Sequence, residues 1–253
     1  MLTILSDIHG NLAALDAVLE HARARGATRF LSLGDVVGYY CHPAECIDRL
    51  RQIGATNVMG NHDGYVVEAA NCPRSRVVAA IIEQHRAMLD ATQMEWLARS
   101  PASMRENDAL YVHGGPRDVR DQYLYTVSPA TLPDGVRHLY SGHTHVQVLA
   151  RFGERTYCNP GSVGQPRDGD PRAAYATVDS DGVHLHRVAY DIDRTDNAQM
   201  IEPVVRDQLS QQLQAHEQAT GEQLVVVTLP DLQGTDIADF GYQLGRHWGI
   251  GQK

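Results

Sequence analysis

Lysine is almost missing from this chain. Of its 22 basic residues only Lys253 is a lysine, and 31 acidic residues outnumber them, leaving a formal net charge of −9. That balance excludes general nucleic-acid binding, which needs a basic face. A phosphate could still enter a pocket made positive by bound cations. Cysteine is also scarce. Cys41, Cys46, Cys72 and Cys158 are the only four, and no two have CxxC spacing. This disfavours a thiolate metal site and fits the reduced thiols of a cytoplasmic protein. No run of about 18 apolar residues is present, so no membrane is expected. A charged-then-apolar leader is lacking at the N-terminus as well.

The 253 residues, 43% of them hydrophobic, allow one large soluble domain or a domain with an appendage. Apolar strands are expected at residues 2–6, 30–33 and 56–59, alternating with helices at 11–24 and 43–53, the second opened by Pro43. Residues 74–99 read as mainly helical. Short strands then follow at 110–112, 138–141, 146–152, 156–158, 173–178 and 183–190. The expected fold is α/β, with two stacked mixed sheets flanked by helices.

Polar residues follow the strands at once: Asp7 and His9, then Asp35, then Asn61 and His62, then His113, then His143 and His145. Ligand sites in open α/β sheets lie beyond the carboxyl ends of strands, so these loops should converge on one edge. The set mixes imidazole, carboxylate and amide without a thiolate. Such a set suits divalent manganese, iron, zinc, nickel or cobalt rather than a structural zinc. It exceeds the needs of one ion. Two ions about 3.5–4 Å apart would clamp an in-line displacement at phosphorus.

The motifs DIHGN, GDVVG, GNHD, VHGGP and GHTH stand in the order of the calcineurin-like metallophosphoesterases. The stretches VHGGPRDVRDQYL and NPGSVGQPRDGDPRAAYA are similar to its small bacterial and archaeal phosphodiesterase-like members. The resemblance covers about residues 1–193 and implies a four-layer α-β-β-α sandwich. It also implies that Asp7, His9 and His145 hold one metal, that Asn61, His113 and His143 hold the other, and that Asp35 bridges them. A hydroxide between the ions would attack phosphorus, with His62 as general acid. His62's ordinary pKa near 6.5 suits that work. Manganese is the first expectation, and the substrate a small phosphate ester or nucleotide. Arg117 and Arg167 lie in the two subgroup stretches and are candidates to contact phosphate. Tyr39, Tyr40, Tyr123 and Tyr125 are read as core or rim residues rather than a base-stacking surface. Larger protein-phosphatase members carry an acid three residues after the bridging Asp, where this chain has Gly38. That departure disfavours a protein phosphatase and leaves open what orients His62. Hydrolysis of dinucleoside polyphosphates is an alternative. A non-enzymatic scaffold fits less well, because the catalytic His is present.

The text changes character near residue 196. Residues 207–222 are Gln-rich, LVVVTLP reads as a strand, and a Gly-started helix follows. QATGEQLVVVTLP and DIADFGYQLGRHWGIG resemble the opening half of a TPM domain. The expected organisation is a catalytic domain at 1–195 and an appended helix-strand-helix segment at 196–253, which is a truncated second domain, a chimeric fragment or a native extension. The oligomeric state is left open.

Overall fold

Parallel pairing at the start of the chain decides where its polar loops go. Leu2–Leu5 (β1) runs into the helix Leu12–Ala24 (α1), and Arg29–Ser32 (β2) returns beside β1 in parallel, Leu2 opposite Arg29. Pro43–Gln52 (α2) follows, with Pro at its first turn, and then the two-residue strand Thr56–Asn57 (β3). The computed structural model describes residues 1–69 and 72–192. Asn61–Val67 (α3), Arg76–Met88 (α4) and Ala91–Ala98 (α5) complete the α-helices of the described residues. The strands Ser103–Glu106 (β4), Ala109–Val112 (β5), His138–Tyr140 (β6), Val148–Phe152 (β7), Arg155–Asn159 (β8), Ala173–Asp179 (β9) and Gly182–Val188 (β10) follow.

These strands form two five-stranded mixed sheets, ordered β10-β9-β1-β2-β3 and β4-β5-β6-β8-β7. β5, β6 and β8 are parallel. The carboxyl ends of β1 and β2 therefore share one edge of the first sheet, and those of β5 and β6 share one edge of the second.

Alternation along each strand sorts the core into layers. Ile4 packs between the sheets with Leu31, Tyr111 and Tyr140, while its neighbour Leu5 joins the helices with Leu15, Val18 and Ile47. On the far side of the second sheet, Val112, Leu139 and Tyr157 meet Leu124, Leu132 and Val136 from the segment after β5. Burying Leu15 completely stabilises the fold by about 1.5–3 kcal/mol, and truncation to alanine would cost about 2–5.

Three elements differ from expectation. The helix expected over 74–99 is two, because the Asp90 carboxylate accepts the Thr92 and Gln93 N–H groups and starts a new helix. α3 was expected as a loop, and β4 was not anticipated. The chain divides into a unit Met1–Ala198 and a unit Gln199–Lys253. The appended segment expected at 196–253 lies outside the described residues. Among the described residues, no helix is long and apolar enough to cross a membrane.

Candidate metal centre

The strand-end loops meet through backbone hydrogen bonds. Asp7 N–H donates to the Gly34 carbonyl (3.0 Å), His9 N–H to Asp35 (2.9 Å) and Gly10 N–H to Val36 (2.8 Å). Across the sandwich, Gly142 N–H donates to the His113 carbonyl (2.8 Å). Asp7, His9, Asp35, His143 and His145 all have positive φ, between 53° and 65°. Non-glycine residues rarely adopt this conformation, and it concentrates at functional sites. Five such residues at three strand ends mark a site for which local strain is tolerated.

Two groups result: Asp7, His9 and His145, and Asp35, His113 and His143, each with one ligand atom per residue inside a 4.8 Å span and every residue buried. Asn61 joins the second, its Oδ1 3.0 Å from His113 Nε2. Asp35 lies between them, with Oδ2 3.3 Å from His113 Nε2 and 3.9 Å from His9 Nε2. Its Oδ1 accepts the His62 N–H at 2.8 Å. The structure thus brings together every predicted ligand.

The surroundings fix which atoms face inward. His9 Nδ1 meets the Val37 carbonyl (2.9 Å), His113 Nδ1 that of Leu33 (2.9 Å) and His145 Nδ1 that of Gln165 (2.6 Å). A carbonyl oxygen only accepts, so these Nδ1 atoms carry the protons and the Nε2 lone pairs point into the site. His9 and His145 then set two Nε2 atoms 3.1 Å apart with no proton to share. Asp7 Oδ2 accepts from the Ser6 hydroxyl (2.6 Å) and the His143 N–H (3.1 Å), while Oδ1 is buried without a partner. That orphan oxygen lies 3.2 Å from His145 Nε2. Facing lone pairs and an unpaired buried carboxylate oxygen are what a divalent cation would satisfy.

Electrostatics agree. Burial alone would raise the Asp7 carboxyl, yet His145 and His113 hold it below its usual range. Burial alone would likewise depress His113, but Asp35 and Asp7 raise it to about 9. The carboxylates draw positive charge to this spot, as a proton or as a cation.

His62 lies beside both groups. Its ring centroid is 5.0 Å from His9 and from Tyr39, and 6.0 Å from Tyr65. Among the described residues no acid bonds its Nδ1, which is buried without a hydrogen-bond partner there and faces Gly38, where any Cβ would collide with it. Packing among rings sets its position. Burial pushes its pKa to about 4, with Asp35 working against that and His113 and His145 adding to it.

Asp63, adjacent to His62 in sequence, has a different task. Its Oδ1 accepts from Val36 (2.9 Å) and Val37 (3.3 Å) N–H, and its Oδ2 from Asp35 (2.9 Å) and Gly60 (3.2 Å) N–H. It ties the Asp35 loop to the start of α3. Its reach back to Gly60, the N-cap, is half of a capping box. Burial and Asp35 raise its pKa to about 6, the Gly60 and Val37 amides opposing them. Gly38 N–H donates to Nδ1 of the buried His85 (2.9 Å) and so fixes the floor under His62.

A cleft of about 170 Å³ opens over the ligands, lined by Tyr39, His62, Arg74, Tyr123 and Arg167 among others. Arg167 lines this cleft. Arg117 is exposed and is not among the lining residues. Arg74, unmarked by any motif, pairs with Asp121 at 2.7 Å.

Two mixed sheets flanked by helices, with two buried histidine–carboxylate groups at one edge that could hold metal ions, are the architecture of a metallophosphoesterase. The chain belongs to the calcineurin-like phosphoesterase superfamily, whose domain it matches over residues 1–182. Residues 194–253 match the TPM domain. The phosphodiesterase YfcE of Escherichia coli is 30% identical over 192 residues, spanning 71% of this chain and 88% of YfcE. An uncharacterized protein of Methanocaldococcus jannaschii is 30% identical over 239 residues, 84% of this chain and 95% of that one. Among solved structures, a metallophosphoesterase from Sphaerobacter thermophilus superposes with a TM-score of 0.67 at 34% identity, over 77% of this chain and 90% of that one.

Proposed function

We propose that this chain is a metal-dependent phosphodiesterase. The observation that carries the reading is Asp35, one buried carboxylate within 4 Å of imidazoles from both ligand groups. Asp7, His9 and His145 would hold one divalent cation and Asn61, His113 and His143 the other, with Asp35 shared. Divalent cations held by these residues would supply a water of lowered pKa and offset charge at phosphorus. Manganese is the first ion to try, given donors of imidazole, carboxylate and amide.

The protein's own groups do the rest. Arg74 and Arg167 line the cleft and would balance the charge of the non-bridging phosphate oxygens. Tyr39 and Tyr65 confine the His62 ring. His62 lines the cleft beside both ligand groups and would pass a proton to the leaving oxygen. The Gly38 collision leaves no room for the orienting acid of larger protein phosphatases, which supports the diesterase reading. The free cysteines fit a reducing cytoplasm.

The test is hydrolysis of bis(p-nitrophenyl) phosphate by manganese-loaded protein beside His62→Ala. The variant should keep both metals and lose roughly 100-fold or more in kcat. An unchanged kcat would remove His62 from the mechanism. An inert wild-type protein carrying two metals would refute the diesterase reading.

A further inference from the structure

Four large apolar side chains are prominently exposed among the described residues, and two of them stand together at the cleft. Tyr125 is 72% exposed and Tyr123 39%. Their rings are 5.5 Å apart and within 6° of parallel. Exposed apolar residues scattered singly mean little. These are not scattered: Tyr123 lines the cleft and its centroid is 3.9 Å from that of the ligand His143. The rings of His143, Tyr123 and Tyr125 thus form a series leading from the metal centre into solvent.

Charge accompanies the rings. The Arg74 guanidinium lies 6.0 Å from the centre of the Tyr123 ring, and that of Arg167 lies 5.8 Å from the Tyr39 ring. Arg74 is also held by Asp121, which fixes it beside Tyr123. Anion-binding groups at the centre and a flat aromatic surface at the mouth match a molecule with a phosphate at one end and a planar ring at the other.

We infer that Tyr123 and Tyr125 form a stacking platform for a nucleobase, so that the esters this site takes are nucleoside phosphates. This rests on the reading of the cleft as a phosphate-ester site. The base stacks against Tyr125, and the sugar carries the 5′-phosphate past Tyr123 towards Arg74. Stacking uses the π-face that every base offers, so the platform favours a base over none without selecting one base strongly. Tyr125 acts on specificity alone, being one ring removed from the ligand.

Calorimetric titration of the full-length, manganese-loaded protein with AMP and with ribose 5-phosphate tests this without turnover. The two ligands share the phosphate and sugar and differ in the base. AMP should bind roughly 10-fold tighter or more, the scale of one base–aromatic stack. Tyr125→Ala should remove most of that advantage while ribose 5-phosphate binds as before, and Tyr125→Trp should retain it. Equal binding of the two ligands, no binding of either, or an AMP advantage that survives Tyr125→Ala would overturn the platform. Hydrolysis of bis(p-nitrophenyl) phosphate by the same preparations separates the two ideas. Tyr125-dependent AMP binding without turnover strikes the diesterase reading alone, and turnover without a base preference strikes the platform alone.

Discussion

Replacing Gly38 with alanine separates the position of His62 from its presence. Gly38 has φ +92°, where a side chain is strained whatever the space, at roughly 1–2 kcal/mol. The new Cβ would fall well inside contact distance of His62 Nδ1 and 3.1 Å from its Cγ. His62 cannot step aside freely, because His9, Tyr39 and Tyr65 surround it. Restoring ordinary contact moves the ring by about 1 Å, a misplacement that costs on the order of 100-fold in rate. Gly38 touches none of the seven ligands' inward atoms, so both metals should remain. The assay is kcat on bis(p-nitrophenyl) phosphate, with metal content by mass spectrometry and a melting curve on the same sample. The expected result is a folded, two-metal protein slowed on the order of 100-fold. A folded variant at wild-type rate would refute the idea that packing against Gly38 positions His62. Loss of metal would show that Gly38 supports the ligands instead.

Two further outcomes follow from the groups behind the ligands. Both Asp63 oxygens accept backbone N–H groups, so Asp63→Asn must turn its own NH2 against one pair of donors. Urea unfolding should show a loss of about 1–3 kcal/mol, and metal affinity should weaken as the Asp35 loop loosens; unchanged stability would show that the loop holds itself. Burial lowers the His85 pKa from 6.5 to about 4. Below pH 6.5 the unfolded chain takes up a proton that the folded chain refuses, so stability falls as pH drops from 6.5 to 4 and then levels. The loss is on the order of 3 kcal/mol. His85→Asn keeps an acceptor that does not titrate, and its urea midpoint should fall less over that window; parallel curves would assign the acid sensitivity elsewhere.

The ligands were legible because each follows a strand whose apolar pattern is plain, and parallel pairing does the rest. Asp7 and Asp35 converge because β1 and β2 are parallel, and His113 and His143 because β5 and β6 are. What supports the ligands was harder to read. Asp63 accepts from three backbone N–H groups 26 to 28 residues away, and only its reach back to Gly60 is local. α3 has a sequence, NHDGYVV, rich in poor helix formers; Gly60 and Asp63 at its start and burial of six of its residues override propensity. β4 shows no fully buried position, so it lacks the apolar alternation that marks a strand. The break before α5 was visible in principle, since Asp90 and Gln93 have capping-box spacing. Nothing in the sequence marks Arg74 as a cleft residue. Tyr123 and Tyr125 were read as rim or core, and only the parallel, exposed rings beside His143 give them another meaning.

The central claim is that two ions share Asp35 and that both are needed. Metal-stripped protein should be titrated with manganese while turnover of bis(p-nitrophenyl) phosphate is followed. Turnover that stays negligible through the first equivalent and reaches its plateau at two per chain is the predicted result. A plateau at one equivalent, or turnover independent of added metal, would contradict it.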